Sequence, residues 1–426
     1  MSEEAPGKQP EEAEAPGKRV SWVELYFDLV FVFAVGQMSH VMVTDPHWAG
    51  FGIALGLFTL LWWTWIGFVV LYNRYGEDRT SQRLLVLAGT LPCAVAAIET
   101  HAAASGHPMA FTFALAGARL ILALGFAFST DQARRVAIGY GVSTAGFVVS
   151  AFVPAPWRYG LWAILLIQEA GLLLLRNGEW DRQPRQRDSE RPARRSRIES
   201  AQGMLEPPSD PARRIDAAHL SERFGLMMMI LLGEVVVAVA GSAAGVPVHG
   251  LKYWSGLLAG LVLAAALWWI YFTAAAPISE SVLRASGGNP AMAYGLYAGG
   301  HLGPAFALLT MASGVGLVLS GAAHAAAAWF ITGGLASYLL GTRAVAFDQS
   351  VRFGQLLQLA VAGATACLAF LEPVITPTGV VLAAAAWAAV VAAYASWRFP
   401  DRLRGITADP LSYFRPGPDQ PGRRAS

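Results

Sequence analysis

Long apolar runs, separated by short polar or glycine-rich turns, fill most of this chain. A helix that crosses a bilayer needs about 20 mostly apolar residues. Cutting the sequence at its turn signals gives segments of that length in the first half near 21–43, 50–72, 83–104, 109–128, 135–153 and 158–176. The second half gives segments near 220–243, 253–275, 291–312, 325–346, 352–371 and 378–397. The pattern predicts an all-α integral membrane protein with about twelve transmembrane helices.

The composition agrees with a protein whose solvent is lipid. Hydrophobic residues make up 55% of the 426 positions and charged residues only 14%, whereas a soluble domain carries about 25% charged residues. This balance excludes an ordinary cytosolic globule and a disordered chain. The net charge of +2 is too small to indicate a nucleic-acid partner. The two cysteines, Cys93 and Cys367, are too few for a disulfide framework or a thiolate metal site.

Polar sequence is concentrated in three segments that divide the chain. We predict a disordered tail at 1–19, an Arg-rich cytoplasmic linker at 177–218 and a basic disordered tail at 400–426. The first six helices then occupy 20–176 and the second six 219–399. With the N-terminus in the cytoplasm, all but three of the 31 basic residues (Arg119, Arg158 and Lys252) fall on the cytoplasmic side, as the positive-inside rule requires. We therefore expect a multi-pass protein of the cell membrane with both termini in the cytoplasm.

The two halves of the hydrophobic body repeat each other at an offset of 206 residues. The run Leu-Trp-Trp-Thr-Trp at 61–65 recurs as Leu-Trp-Trp-Ile-Tyr at 267–271, and Asp28 falls on Glu234. Near the ends of the halves the offset drifts to 219, where Pro154 matches Pro373. Because each half has an even number of helices, both halves enter the membrane from the same side, as two parallel six-helix repeats. Such repeats commonly place a transport site between the halves.

Ionisable residues inside the predicted spans mark candidate sites, because each is costly in lipid unless it faces protein, water or a partner. Glu24 and Asp28 lie one turn apart on one face of the first helix. Glu222 and Arg223 lie at the inner end of the seventh helix, and Glu234 lies about halfway across it. These acids and their neighbouring arginine are candidates for coupling to protons or to a substrate.

Three further polar residues lie near the middle of predicted spans. Arg119 is a cation that keeps its charge, so it needs an anionic partner. Asp28, Glu234 and Glu169 are the candidates, and we expect a contact with an acid of the first or seventh helix. His301 is the one histidine predicted at mid-membrane. Arg119, Glu169 and His301 complete the set of coupling candidates, with a buried ion pair that fixes helix register as the alternative interpretation.

Motifs for several other kinds of chemistry are absent from the sequence. It contains no HExxH motif or close histidine pair for zinc, no Walker A phosphate loop and no Gly-x-Ser-x-Gly nucleophile motif. We therefore expect no cofactor, no metal and no self-contained ATP-driven pump.

Two motifs resemble those of the bacterial low temperature requirement protein A (LtrA) family. Residues 20–32 contain a Glu-Leu-aromatic-Phe-Asp-Leu-Val-Phe run, and residues 222–225 and 232–234 contain a Glu-Arg pair followed by Leu-Gly-Glu. The resemblance covers about residues 20–400 and implies a multi-pass protein of the bacterial plasma membrane. The family is named for a growth phenotype in the cold, and the resemblance implies no settled substrate or reaction. It gives added weight to Glu24, Asp28, Glu222, Arg223 and Glu234.

The leading hypothesis is a secondary transporter of an unidentified small solute, with protons as the candidate coupling ion and the lipid bilayer as its surroundings. In this hypothesis Asp28 and Glu234 face each other across a central cavity, and Arg119 stabilises the ionised acid or binds an anionic substrate. The first alternative is a membrane-embedded enzyme that uses buried acids on a lipid or lipid-linked substrate. The second alternative is an envelope scaffold or sensor.

Overall fold

The computed structural model describes residues 20–76, 79–130, 133–174, 205–208, 214–241, 250–321, 325–343 and 351–408. Within these residues the chain is helical and has no β-strand. The first half contains α1 (Trp22–Thr44), α2 (Trp48–Tyr75), α3 (Thr80–Ile98), α4 (Thr100–Ala104), α5 (Met109–Ala127), α6 (Arg134–Ser150) and α7 (Trp157–Leu174). The second half contains α8 (Ala217–Gly241), α9 (Leu251–Ile270), α10 (Ala276–Ala285), α11 (Pro290–Ala293), α12 (Leu302–Leu319), α13 (Ala325–Thr342), α14 (Val351–Cys367) and α15 (Pro377–Ala408).

Two π-helical segments interrupt the described part of the second half. Residues Tyr271–Ala275 join α9 to α10, and residues Tyr294–Gly299 follow α11 and precede α12. A π-helical segment leaves backbone carbonyls outside the regular α-helical ladder, and such segments occur frequently at functional sites. In both segments the backbone therefore departs from regular α-helical geometry.

Nine helical segments of the described residues are long and apolar enough to cross a membrane. They comprise α1, α2, α3, α5, α8, the continuous segments Tyr253–Ala285 and Pro290–Leu319, α13 and α15. Helices α6, α7 and α14 occupy the three remaining predicted positions but are not among the nine. The structure thus confirms an all-helical, multi-pass architecture, and the count of twelve crossings stays a prediction.

Successive helices pack on one another within each half. In the first half α1 packs on α2 and α3, α3 packs on α5, and α5 packs on α6. In the second half α8 packs on α9 and α12, α12 packs on α13, and α13 packs on α14. The halves meet where α1 contacts α8 and α12 and where α2 contacts α8. This contact between the halves holds the candidate site described below.

The predicted polar segments fall largely outside the described residues. The predicted tail at 1–19, residues 177–204 and 209–213 of the predicted Arg-rich linker, and residues 409–426 are among them. Helix α15 ends at Ala408, within the predicted C-terminal tail, and Ile406 is buried against the helical core.

Candidate functional site

A cluster of buried ionisable side chains lies at the contact between the two halves. We call it the α1–α8 cluster, and its charged or titratable members are Glu24 and Asp28 of α1 with His219 and Arg223 of α8. Each of these residues is at most 2% exposed. Helix α2 contributes Trp65 and Asn73. The cluster therefore joins the first half of the chain to the second through polar contacts that are shielded from water.

Arg223 holds both carboxylates of α1. Its Nη1 lies 2.9 Å from Glu24 Oε2, and its Nη2 donates a hydrogen bond to Asp28 Oδ1 at 2.7 Å. Trp65 Nε1 donates to the same Asp28 oxygen at 2.7 Å. Because Glu24 and Asp28 are four residues apart, they lie on one face of α1 and present their charges to a single guanidinium.

His219 supports the same arrangement one turn before Arg223. Its Nε2 lies 3.3 Å from Glu24 Oε1, and its Nδ1 lies 3.0 Å from Asn73 Nδ2. The backbone N–H of His219 donates to Asp216 Oδ1 at 3.0 Å, so Asp216 satisfies a donor in the first turn of α8. The histidine is thereby fixed between the start of α8, the end of α2 and the start of α1.

The local sequence explains why Glu24 is available here. Helix α1 begins after Ser21, and Glu24 Oε1 accepts hydrogen bonds from both the backbone N–H and the hydroxyl of Ser21 at 3.0 Å. A glutamate that reaches back to the residue before its helix is half of a capping box. The contact stabilises the first turn and also fixes the carboxylate that receives Arg223.

Helices α1 and α8 run parallel and in register. Glu24 meets His219, Asp28 meets Arg223, and Gly36 meets Glu234, so contacts advance in the same order along both helices. At 1.5 Å per residue, Asp28 lies about 9 Å beyond Trp22 at the start of α1. The cluster therefore lies near the end of the helical bundle where α1 and α8 begin.

The expected pairing of Asp28 with Glu234 is wrong. A Cβ atom on Gly36 would lie 3.8 Å from Glu234 Oε2, and Gly36 is about 12 Å along α1 from Asp28. In-register parallel helices bring together residues about 195 positions apart, as in Asp28 and Arg223, rather than 206. Glu234 is half-buried and has no hydrogen bond or ion pair with the part of the chain that the structure describes.

The expected partner of Arg119 is also corrected. Arg119 Nε donates to Glu169 Oε1 at 3.1 Å and its Nη2 to Oε2 at 3.3 Å, while Nη1 donates to the hydroxyl of Thr64. The guanidinium carbon lies 4.6 Å from the ring centroid of Phe147. Because α5 packs among the helices of the first half, the acid of α7 reaches Arg119 and the acids of α1 and α8 do not. This forked pair fits the alternative of an ion pair that fixes helix register.

His301 lies in a different polar contact, between the two π-helical segments. Its Nδ1 lies 2.9 Å from the carbonyl oxygen of Leu296, so it donates there, and its Nε2 accepts from the hydroxyl of Tyr271 at 2.9 Å. The ring stacks on Tyr297 and contacts the edge of Phe224. Phe224 follows Arg223 directly in α8, so His301 is one aromatic ring away from the cluster.

Glu222 does not join the cluster. Its side chain is exposed, and it has no hydrogen bond or ion pair within the described residues. Because Glu222 and Arg223 are consecutive in a helix, they point in directions about 100° apart, and only one can face α1. The described residues also contain no group of three or more His, Cys, Asp or Glu side chains arranged to hold a metal ion.

The sequence-based candidates omitted three members of the cluster, which are His219, Trp65 and Asn73. The spacing of His219 and Arg223 repeats the four-residue spacing of Glu24 and Asp28, and this was the available signal. Trp65 and Asn73 lie on α2, which runs antiparallel to α1. The sequence does not show which polar side chains of α2 contact the cluster, because this depends on how the helices pack.

Comparison with known proteins agrees with this architecture and its motifs. Residues 19–395 match the model of the family described as Bacterial low temperature requirement A protein (LtrA). An uncharacterized protein of Rhizobium meliloti (strain 1021) is 25% identical over 265 residues, which cover 60% of this chain and 58% of that protein. No solved structure matches the chain. The family match includes both halves, the cluster and the nine described helical segments that could cross a membrane, except for the end of α15. The chain therefore belongs to the bacterial low temperature requirement A (LtrA) family.

Proposed function

We propose that this protein is a secondary transporter that couples the movement of a small solute to protons across the bacterial plasma membrane. The α1–α8 cluster carries the proposal. It holds two carboxylates against one guanidinium, in a buried site where the two halves of the chain meet. With His219 neutral, the cluster is one positive charge short of neutrality, and binding one proton removes that deficit.

A buried charge deficit gives protons a means of changing the contact between the halves. Burying an uncompensated charge away from water costs several kcal/mol. A proton on the cluster lowers that cost and weakens the attraction of Arg223 for the carboxylates. Loading and releasing a proton therefore changes how strongly α1 is held to α8, which is the contact that must rearrange when one half rocks against the other.

Several observations support two parallel six-helix repeats as the frame for this motion. Helices α1, α3, α5 and α6 pack in succession, as do α8, α12, α13 and α14, although the packing of α9 on α15 has no counterpart among the described residues of the first half. Helix α1 also runs parallel to α8. Arg119 of α5 binds the hydroxyl of Thr64 in α2, and Tyr338 of α13 donates to the carbonyl oxygen of Leu267 in α9 at 2.8 Å. These two polar contacts join corresponding predicted helices of each half. We propose both termini in the cytoplasm, as the distribution of basic residues favours.

The space next to Asp28 is apolar. A small cavity of about 10 Å³ between α1, α2 and α8 is lined by Phe31, Trp62, Trp65, Met227 and other hydrophobic side chains. Within this proposal the cluster is the proton site. Glu234 is half-buried at mid-helix and has no partner among the described residues, so it is a second acid available to a proton or to the solute. The chemical class of the solute is then a matter for a binding screen.

The test is a thermal-shift screen of the purified protein at two pH values. The panel contains amino acids, polyamines, sugars, osmolytes and organic acids, and Asp28→Asn and Glu222→Gln are run beside the wild type. A ligand that binds the folded state stabilises it by about 2.7 kcal/mol at a hundred times its Kd. The proposal predicts one class of compound that stabilises the wild type and Glu222→Gln with a pH dependence that Asp28→Asn lacks. A well-folded protein that no class stabilises would contradict the proposal.

A further inference from the structure

The amide of Asn73 has a fixed orientation. Its Oδ1 accepts a hydrogen bond from the backbone N–H of Asp216 at 3.1 Å, and its Nδ2 donates to the backbone carbonyl of Asp216 at 3.1 Å. Reversing the amide would set oxygen against oxygen and donor against donor. The backbone at Asp216 is itself held, because the N–H of Ile215 donates to the carbonyl oxygen of Gly288 at 2.9 Å.

This orientation determines the protonation state of His219. The second hydrogen on Asn73 Nδ2 points to His219 Nδ1 at 3.0 Å, so that nitrogen must accept. His219 is then the neutral tautomer with its hydrogen on Nε2, which donates to Glu24. An imidazolium would place a hydrogen on Nδ1 against the amide donor. Asn73 therefore prevents His219 from supplying the missing positive charge.

Each carboxylate has one oxygen that accepts hydrogen bonds and one that does not, and the two carboxylates differ in what faces the second oxygen. Glu24 Oε1 accepts from Ser21 and from His219, and Glu24 Oε2 lies 2.9 Å from Arg223 Nη1 in an ion pair. Asp28 Oδ1 accepts from Trp65 and Arg223. Asp28 Oδ2 is buried and has no hydrogen-bond partner among the described residues. It is the position at which a proton neutralises charge without displacing an existing donor.

Other helices around α1 bring no competing charge to this position. Helix α3 carries Arg83 at its exposed start and the buried thiol of Cys93, and α12 carries no charged residue. Helix α2 carries Tyr72, whose ring stacks on His219, and Arg74 in its last turn. Helix α4 carries His101, whose ring lies beside His40 toward the opposite end of α1. The charged groups that act on Asp28 are therefore Arg223 and Glu24, both members of the α1–α8 cluster.

We propose that Asp28 binds the exchangeable proton of the cluster at Oδ2, and that Asn73 is the positioning residue that directs the proton there by holding His219 neutral. This proposal rests on the proposed function for its role in transport and deepens it by naming the proton site. Asn73 acts only through His219, so its effect is on where the proton resides.

The test is infrared difference spectroscopy of the purified full-length protein during a pH titration, which detects the carbonyl stretch of a protonated carboxyl. The wild type is expected to show such a band, and Asp28→Asn to lose it. Asp28→Glu is expected to retain the band at a shifted frequency, which decides the question if Asp28→Asn does not fold. Glu222→Gln is the matched control, because it removes an exposed carboxyl beside Arg223, and it is expected to leave the band unchanged.

Asn73→Leu tests the positioning role. Without the amide donor, His219 is free to take the proton, so the carboxyl band is expected to be lost and an imidazolium signal to be gained. A merely structural role of Asn73 would leave the band in place in the folded variant, and this result would overturn that part of the proposal.

Two results would overturn the assignment to Asp28. One is a band that survives Asp28→Asn and disappears in Glu24→Gln, and the other is an imidazolium signal in the wild type without a carboxyl band. Because the measurement needs no solute, it separates this proposal from the proposed function. An Asp28 band in a protein that binds no solute would support the proton site and not the proposed function. Solute binding without that band would support the proposed function and not the assignment of the proton to Asp28.

Discussion

Replacing Arg223 by Met should strongly destabilise the protein, because it removes the cation that faces both carboxylates of α1. At an effective dielectric constant of about 20, two unit charges about 4 Å apart attract each other by about 4 kcal/mol. Arg223 makes two such contacts, at 2.9 Å to Glu24 and 2.7 Å to Asp28. Repulsion between the carboxylates and the cost of burying all three groups offset much of this attraction. The expected net loss is about 3–5 kcal/mol, as for other broken buried pairs.

The decisive comparison is with a variant that removes the whole charged group. The triple variant Arg223→Met, Glu24→Gln, Asp28→Asn leaves no unpaired charge, and we expect it to recover most of the lost stability. The assay is thermal unfolding of the detergent-purified proteins, followed by circular dichroism, with Glu222→Gln as the control. If Arg223→Met melted with the wild type, or the triple variant melted no higher than the single one, the electrostatic interpretation of the cluster would be refuted.

The remaining predictions concern residues outside the cluster. Arg119→Leu leaves the buried carboxylate of Glu169 without its cation and should lower the free energy of unfolding by about 3–5 kcal/mol. The double variant Arg119→Leu, Glu169→Leu should unfold close to the wild type. Equal melting temperatures of the two variants would contradict the ion pair. Glu234→Gln removes a group with no partner in the described residues, so thermal unfolding should change by less than about 0.5 kcal/mol; a larger loss would show that Glu234 is structural. Tyr271→Phe leaves Nε2 of His301 without its donor and should cost about 1–3 kcal/mol; an unchanged melting temperature would show that this hydrogen bond contributes nothing.

The apolar pattern predicted the helices well, because a helix that crosses a bilayer needs a long run of apolar residues whose length matches the bilayer thickness. It placed a segment near 21–43 where α1 spans Trp22–Thr44, and one near 109–128 where α5 spans Met109–Ala127. The same pattern does not reveal a π-helical segment such as Tyr294–Gly299, since one extra residue in a helical turn leaves hydropathy unchanged.

Pairing between helices was predicted less well. The sequence selected Asp28, Arg223 and Glu24 as residues that lipid would not tolerate, and the structure brings these three together. The sequence did not reveal that Arg119 forms an ion pair with Glu169, because the partner of a buried cation depends on which helices are neighbours. The predicted repeat offset would align equivalent positions of two halves, whereas contacts between α1 and α8 depend on how the helices are staggered. Asp28 and Glu234 were paired wrongly for that reason.

We propose that the α1–α8 cluster couples protons to the movement of a solute. The most direct measurement uses proteoliposomes that enclose a pH-sensitive dye and receive, outside, the compounds selected by the binding screen. We predict that the wild type and Glu222→Gln change the internal pH when the solute is added, and that Asp28→Asn, reconstituted to the same level, does not. Solute uptake without any change of internal pH in the wild type, or an unchanged pH response in Asp28→Asn, would contradict the claim.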